Sequence, residues 1–381
     1  MTKTVDRLRG LLVIAVCFHG CTSETLQVGK ATLEPGPGDH VVRVGPAEVV
    51  LATKDKPYSW PDGTIGIMRE GDAYSFIAAG PGTPIRTVGS LENPVAKGVQ
   101  VQEIAGIKHG YPYAAGGRIY KDPDTGILLL FYHAEIWTFP PGYIPFFSEL
   151  GLAFSKDGGI SWDDLGPIVR PHTPVSAPYF EKGGTWDVGW GTYALAGEYF
   201  YLYFADLIDD GGSYKRANLA VARAKISEVI DAAVIRHQTS PWIKYYRGTW
   251  GEPGLGGKSS ALVEHDQVND SFMPSDVVFN TCARKYMAIL LGEPFPNSDL
   301  YWSESTDGLK WTPIRKLIGD EGEQIYATFV GMGKDPHLPG NEFFIYYIDS
   351  KNGGNVGDRN QDAALMRRRV SLLNARCDEA S

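Results

Sequence analysis

Short apolar runs bounded by Gly, Pro and Asp recur along the whole chain. The pattern is clearest between residues 111 and 162. Residues 116–120 alternate and stop at the turn Asp122-Pro123-Asp124-Thr125-Gly126. Residues 127–133 are a continuous apolar run, and residues 150–155 are a third that breaks at Ser155-Lys156-Asp157-Gly158-Gly159. Runs of this length with these boundaries predict strands of a small antiparallel sheet. The same plan returns at residues 64–79, 186–222, 274–304 and 326–370. Repetition of one such sheet predicts an all-β fold, a five-bladed β-propeller of four-stranded antiparallel blades. A six-bladed, sialidase-like propeller is the alternative count, and a β-sandwich the rival architecture.

The blades organise the chain into one domain, residues 59–377, preceded by a lead-in over residues 23–58 whose stretch 41–51 is suited to complete the last blade. Residues 226–234 are the one convincing helix, with Ser227 as its predicted cap. An insert over residues 241–260, rich in aromatics, glycines and charges, is too elaborate for a plain linker and is expected to fold over the channel as a lid.

Residues Ser155 to Trp162 fit the S-x-D-x-G-x-[ST]-W pattern of an Asp box, and Ser305 to Trp311 fit it shortened by one residue. Asp bonds the backbone two residues on and Gly accepts positive φ, so both stretches suit tight turns closed by a Trp plug. Such turns join third to fourth strands and lie on one face of a propeller. The inner strands begin, and the second strands end, on the other face.

That second face gathers acids. Asp62, Asp187 and Asp276 lead into inner strands, and Glu135, Asp206, Glu293 and Asp349 close second strands. Facing carboxylates raise one another's pKa unless used or paired, and a pair split into one acid and one base is what glycosidic cleavage requires. Asp62, Glu135, Asp187 and Glu252 are therefore the candidate catalytic residues. Aromatics cluster at the same strand ends. Tyr111, Trp186, Trp190 and Trp250 are expected to pack on sugar rings, with Arg118, His133, Lys258 and Asp276 contacting hydroxyls.

With these residues in view the chain resembles the five-bladed propeller glycoside hydrolases of the arabinanase, xylosidase and invertase type, with Asp boxes like those of sialidases. The resemblance implies a base Asp at the start of blade one, a pKa-tuning Asp in blade two and an acid Glu in blade three. Asp62 matches the first. Blade two opens at His109-Gly110-Tyr111 without an Asp, which displaces the second role to Glu135 or Asp187. Glu135 and Glu252 are the candidates for the acid.

Composition narrows the partners. The net charge is −9, with 36 basic and 45 acidic residues, and no basic run follows the first ten positions. Oligo- or polysaccharide is the expected ligand and nucleic acid is excluded. Lys3, Arg7 and Arg9 precede an apolar run at residues 11–18 and then Gly20-Cys21. This predicts an export signal over residues 1–22, with Cys21 as a lipoprotein-type acceptor and the only tie to a membrane. The expected location is periplasmic, cell-surface or extracellular, where Cys282 and Cys377 are free to pair. No metal site is expected from the cysteines. A central Ca²⁺ is a further candidate, with Asp206, Asp349 or Glu293 as oxygen ligands. Two functions follow: an exported carbohydrate hydrolase or, as the alternative, a non-catalytic glycan-binding surface propeller.

Overall fold

The computed structural model describes residues 31–33, 39–57, 59–106, 113–137, 146–172, 188–208, 216–263, 272–292, 298–319, 322–350, 363–375 and 377. Three short strands come first: β1 (Ala31–Leu33), β2 (Val42–Val44) and β3 (Glu48–Leu51). An antiparallel meander follows, β4 (Gly66–Glu70), β5 (Ala73–Ala79), β6 (Pro84–Gly89) and β7 (Val99–Val101). The second holds β8 (Ile104–Ala105), β9 (Tyr113–Lys121), β10 (Leu128–Trp137), β11 (Phe146–Ser155) and β12 (Trp162–Val169), with β8 parallel to the outer β12. The third runs β13 (Val188–Ala196), β14 (Tyr199–Ile208), β15 (Arg216–Lys225), helix α1 (Ile226–Asp231) and the hairpin β16 (Ile243–Tyr246) and β17 (Thr249–Pro253). The fourth is β18 (Phe272–Asn280), β19 (Lys285–Gly292), β20 (Leu300–Ser305) and β21 (Arg315–Ile318). The fifth is β22 (Glu323–Gly331), β23 (Glu342–Ser350) and β24 (Ala364–Leu372). Its outer edge is completed from the other end of the chain, because β2 and β3 pair with successive parts of β24.

The protein is thus an all-β propeller. Apolar residues alternate along each strand to both faces of a sheet, so the core is a series of layers between neighbouring meanders. Phe131, Leu152, Phe200 and Phe204 fill one layer, and Leu130, Tyr132, Ile119 and Ile77 another. The turns at 155–162 and 305–311 form as their residues dictate. Asp157 accepts from Ile160 N at 3.0 Å and Ser161 Oγ at 2.6 Å, and Gly159 N donates to Ser155 Oγ at 2.9 Å. Trp162 is buried, with its indole N–H on Gln102 Oε1 at 3.1 Å.

Three local expectations are corrected. β15 runs straight to Lys225, so Ser227 falls inside the first turn and Lys225 takes the cap position without a side-chain bond. The helix then passes into a π-helical turn at Ala232–Arg236. The insert is a hairpin at the outer edge of the third meander, not a lid, because β15 has an open edge that β16 pairs at Ala222–Lys244 and Arg223–Ile243. Asp276 does not lead into its strand. β18 begins four residues earlier, at Phe272, and carries Asp276 down to mid-strand.

The inner strands β4, β9, β13, β18 and β22 pack side by side around the axis. The ring closes where Ile65 N donates to Thr328 Oγ1 at 3.0 Å. Asp276 is fully buried and clasps four of these strands. It accepts from Arg118 Nη1 at 2.5 Å, Thr192 Oγ1 at 2.6 Å, its own neighbour Val277 N at 3.0 Å and Phe329 N at 2.9 Å. β4 and β9 can meet only through glycine: a Cβ on Gly117 would lie 1.7 Å from the Thr64 carbonyl oxygen.

A second buried carboxylate seats the N-terminal segment. Glu304 accepts from His40 Nδ1 at 2.9 Å, Lys285 Nζ at 3.1 Å and Trp302 Nε1 at 3.1 Å. Burial alone would raise its pKa, but these bonds outweigh burial and hold it at about 2. Cys282, after β18, is disulfide-bonded to Cys377 beyond β24. No helix of the described residues is long and apolar enough to cross a membrane.

Asp276→Leu leaves the Arg118 guanidinium buried and unpaired, and should destabilise the fold by about 3–5 kcal/mol in urea unfolding. Arg118→Met in the same chain should recover most of that loss. The depressed pKa of Glu304 is stability present above its ordinary value of 4.5 and lost as pH falls through about 2. Glu304→Gln should therefore cost on the order of 3 kcal/mol at pH 7, and its Tm should converge on that of the unmodified protein near pH 2.

Candidate active site

Asp62 stands at the mouth of the channel, just before β4, where its N–H donates to Ala79 O at the end of β5 at 2.9 Å. Two phenols reach its carboxylate. Tyr113, the first residue of β9, lies 3.3 Å from Oδ2 through its hydroxyl, and Tyr326 of β22 also donates to the group. Burial raises the Asp62 pKa, opposed by both tyrosines and by the positive charge of His133 and Lys56. Lys56 is itself pulled down to about 8 by burial, with Asp62 opposing. Burial thus outweighs these partners and holds the Asp62 carboxyl above its ordinary value.

β10 brings the second acid to the same mouth. His133 and Glu135 are two residues apart and so point to one face, with His133 Nε2 3.6 Å from Glu135 Oε1. The register sets Glu135 between Tyr113 on β9 and Ser148 on β11. The Tyr113 ring meets the His133 ring edge-on, with centroids 5.9 Å apart. Tyr113 therefore touches both the Asp62 carboxylate and the imidazole beside Glu135.

Backbone irregularities aim the aromatics. In β13 the pairing slips between Gly189 and Thr192, and in β22 between Ile325 and Thr328. The residues in these bulges, Trp190 (φ 69°) and Tyr326 (φ 56°), adopt positive φ. That conformation is an outlier for a bulky side chain and concentrates at functional sites. Tyr326 and Lys56 are absent from the sequence-derived candidates. A signal for Tyr326 exists in the repeat of aromatic, small residue, Thr, aromatic at Trp190-Gly191-Thr192-Tyr193 and Tyr326-Ala327-Thr328-Phe329.

The other candidates are dispersed. Tyr111, Trp186, Asp187 and Glu293 lie outside the described residues. Arg118 and Asp276 bind each other inside the ring, where their charges are already neutralised. Glu252 sits on the outer hairpin and accepts from Lys258 N at 3.0 Å. Trp250, on the same hairpin, stacks under the Arg223 guanidinium at 4.3 Å. Asp206 is held by Ser259 Oγ at 2.7 Å and faces the buried Lys244 ammonium at 3.7 Å. Asp349 lies opposite Gln324 in the fifth meander. Among the described residues no three His, Cys, Asp or Glu side chains gather to hold a metal ion. The structure thus unites Asp62, His133 and Glu135 and adds Tyr113, Tyr326 and Lys56.

Neither a protein-family model nor a curated protein matches the chain. Solved structures do. An α-L-arabinofuranosidase from Lactobacillus brevis is similar over 84% of this chain and 90% of its own, at 10% identity and a TM-score of 0.54. An α-L-arabinofuranosidase from Podospora anserina, solved with cellotriose, is similar over 85% and 95%, at 9% identity and a TM-score of 0.50. A family 117 glycoside hydrolase of the marine bacterium Zobellia galactanivorans is similar over 86% and 90%, at 10% identity and a TM-score of 0.50. At such identities the likeness speaks to the fold.

The raised Asp62 pKa implies a testable cost. A carboxyl raised in the folded state contributes fully at acid pH and loses that contribution as pH rises through its folded pKa. Asp62→Asn should therefore raise stability at pH 8 and leave it unchanged at pH 3, as read by Tm. An equal or lower Tm at pH 8 would show that burial does not raise the Asp62 carboxyl.

Proposed function

We propose that this chain is an exported glycoside hydrolase whose working acids are Asp62 and Glu135. The observation that carries the proposal is the meeting of both residues on one phenol–imidazole pair, Tyr113 and His133, at the mouth of the ring. A carboxylate with a raised pKa is a stronger base, so Asp62 suits activation of a water or direct attack at the anomeric carbon. Tyr113 and Tyr326 hold its orientation. Glu135, beside His133, suits protonation of the leaving oxygen, with the imidazole as the group that exchanges its proton. Trp190 offers an aromatic face for a sugar ring. Asp187 is the second candidate for base. The similar solved arabinofuranosidases support a carbohydrate substrate, and the two turns closed by Trp162 and Trp311 are consistent with Asp boxes. Export is supported by the charged and apolar N-terminus ahead of Cys21 and by the Cys282–Cys377 disulfide, which suits an oxidising compartment. Cys21 would carry the lipid anchor.

The His133–Glu135 contact also favours a second reading, a glycan-binding propeller without turnover. In that reading Glu135 is a fixed partner of the His133 ring that accepts sugar hydroxyls and transfers no proton.

Release of reducing sugar from a broad glycan panel separates the two. The unmodified protein should release sugar with a bell-shaped pH dependence, and Glu135→Gln and Asp62→Asn should each lower turnover by about 10²–10⁴-fold while binding persists. A folded Glu135→Gln protein with full turnover removes Glu135 from the mechanism. Binding without release by any form supports the second reading.

A further inference from the structure

The opposite end of the channel holds a cavity of about 670 Å³, within the range of small-molecule sites. All five meanders wall it, through Met68, Tyr120, Leu195, Phe279 and Leu338. The Arg118–Asp276 clasp lies between this cavity and the mouth that holds Asp62, so the two ends are separate compartments.

The charges around the cavity are unevenly committed. Its acids are used internally. Glu70 accepts from Ser75 Oγ at 2.7 Å and Arg86 Nη2 at 2.9 Å, and Asp122 accepts from Thr125 N at 2.9 Å and Thr125 Oγ1 at 2.6 Å. Asp157 is saturated by its own turn, and Asp335 accepts from His337 N at 2.9 Å. Of its cations, Arg86 is paired with Glu70 and Arg118 with Asp276, and Arg69 Nε donates to Gly71 O at 3.1 Å. Among the described residues Arg69, Lys121 and Lys334 have no carboxylate partner. Arg118 is 1% exposed, and its Nε–H has no acceptor although both terminal nitrogens are engaged. The cavity therefore keeps three cations without a carboxylate partner, and one buried N–H without an acceptor, in a chain whose net charge is −9. Ile119, Leu128 and Val278 supply an apolar side.

We propose that this cavity is a second ligand site, for a saccharide that bears a carboxylate. The carboxylate would lie against Lys121, Lys334 and Arg69 with an acceptor toward Arg118 Nε, and the C–H face of the ring would lie on the apolar side. The site needs no chemistry at the Asp62 mouth and shares with it only sugar as a ligand class.

Trigalacturonate and its methyl ester serve as probes in titration calorimetry on the full chain. The unmodified protein should bind the acid at least about tenfold more tightly than the ester, and Lys121→Ala with Lys334→Ala should weaken the acid by about tenfold. Both lysines are exposed, so the fold should be unaffected. Trp190→Ala, which removes the sugar-binding face proposed at the mouth, should bind the acid unchanged. Equal affinity for acid and ester overturns the proposal, as does no binding of either. Loss of binding in Trp190→Ala with full retention in the lysine variant also overturns it, by moving the ligand to the mouth. Glycan release by the lysine variant, measured alongside, reports on the hydrolase proposal independently.

Discussion

One buried carboxylate organises the centre of this protein. Asp276 accepts hydrogen bonds from the second, third, fourth and fifth inner strands, and so fixes their rotation about the axis together with their depth. The first strand joins through Thr64 Oγ1 on Ser275 O at 2.6 Å and Ile65 N on Thr328 Oγ1. A buried ion pair of this kind adds little net stability against an apolar equivalent, but breaking it by half is costly. Its contribution is geometric, because one acceptor can satisfy four donors only when all four strands are in place.

The mouth depends on that placement. Trp190 lies two residues before Thr192, and Tyr326 three residues before Phe329, and both partners bind Asp276. The positive φ values of Trp190 and Tyr326 each carry an energetic cost, and they persist because the clasp over-determines the strands just beyond them. The bulges leave both aromatics half-buried against the core, and the one in β22 brings the Tyr326 hydroxyl onto Asp62. Strain at the mouth and hydrogen bonding at mid-channel are therefore two parts of one arrangement.

The ends of the channel differ in charge for a related reason. At the mouth, Asp62 and Glu135 stand together, and burial works against ionisation of Asp62. At the other end, turns consume their own carboxylates in holding their shape, as Asp122 and Asp157 do, and leave Lys121 and Lys334 uncommitted. A chain that is acidic overall can in this way leave cations without carboxylate partners at one end, because its acids there take their hydrogen bonds from neutral groups of their own turns.

By itself the sequence determined the strands, the tight turns and the meander order, since these rest on period-two alternation and on Asp and Gly within a few residues. It also brought Asp62, His133 and Glu135 into view, because each is at the end of a legible run. Only the tertiary structure decided their company. Arg118 and Asp276 are 158 positions apart, and Lys56 and Tyr326 flank Asp62 from opposite ends of the chain. The hairpin at 243–253 became an edge because β15 had one to offer. In a closed ring, nearest neighbours are distant in sequence, and a bulge shifts which side chain faces the axis. Strand register, which no local pattern encodes, thus separated Asp276 at mid-channel from Asp62 at the mouth.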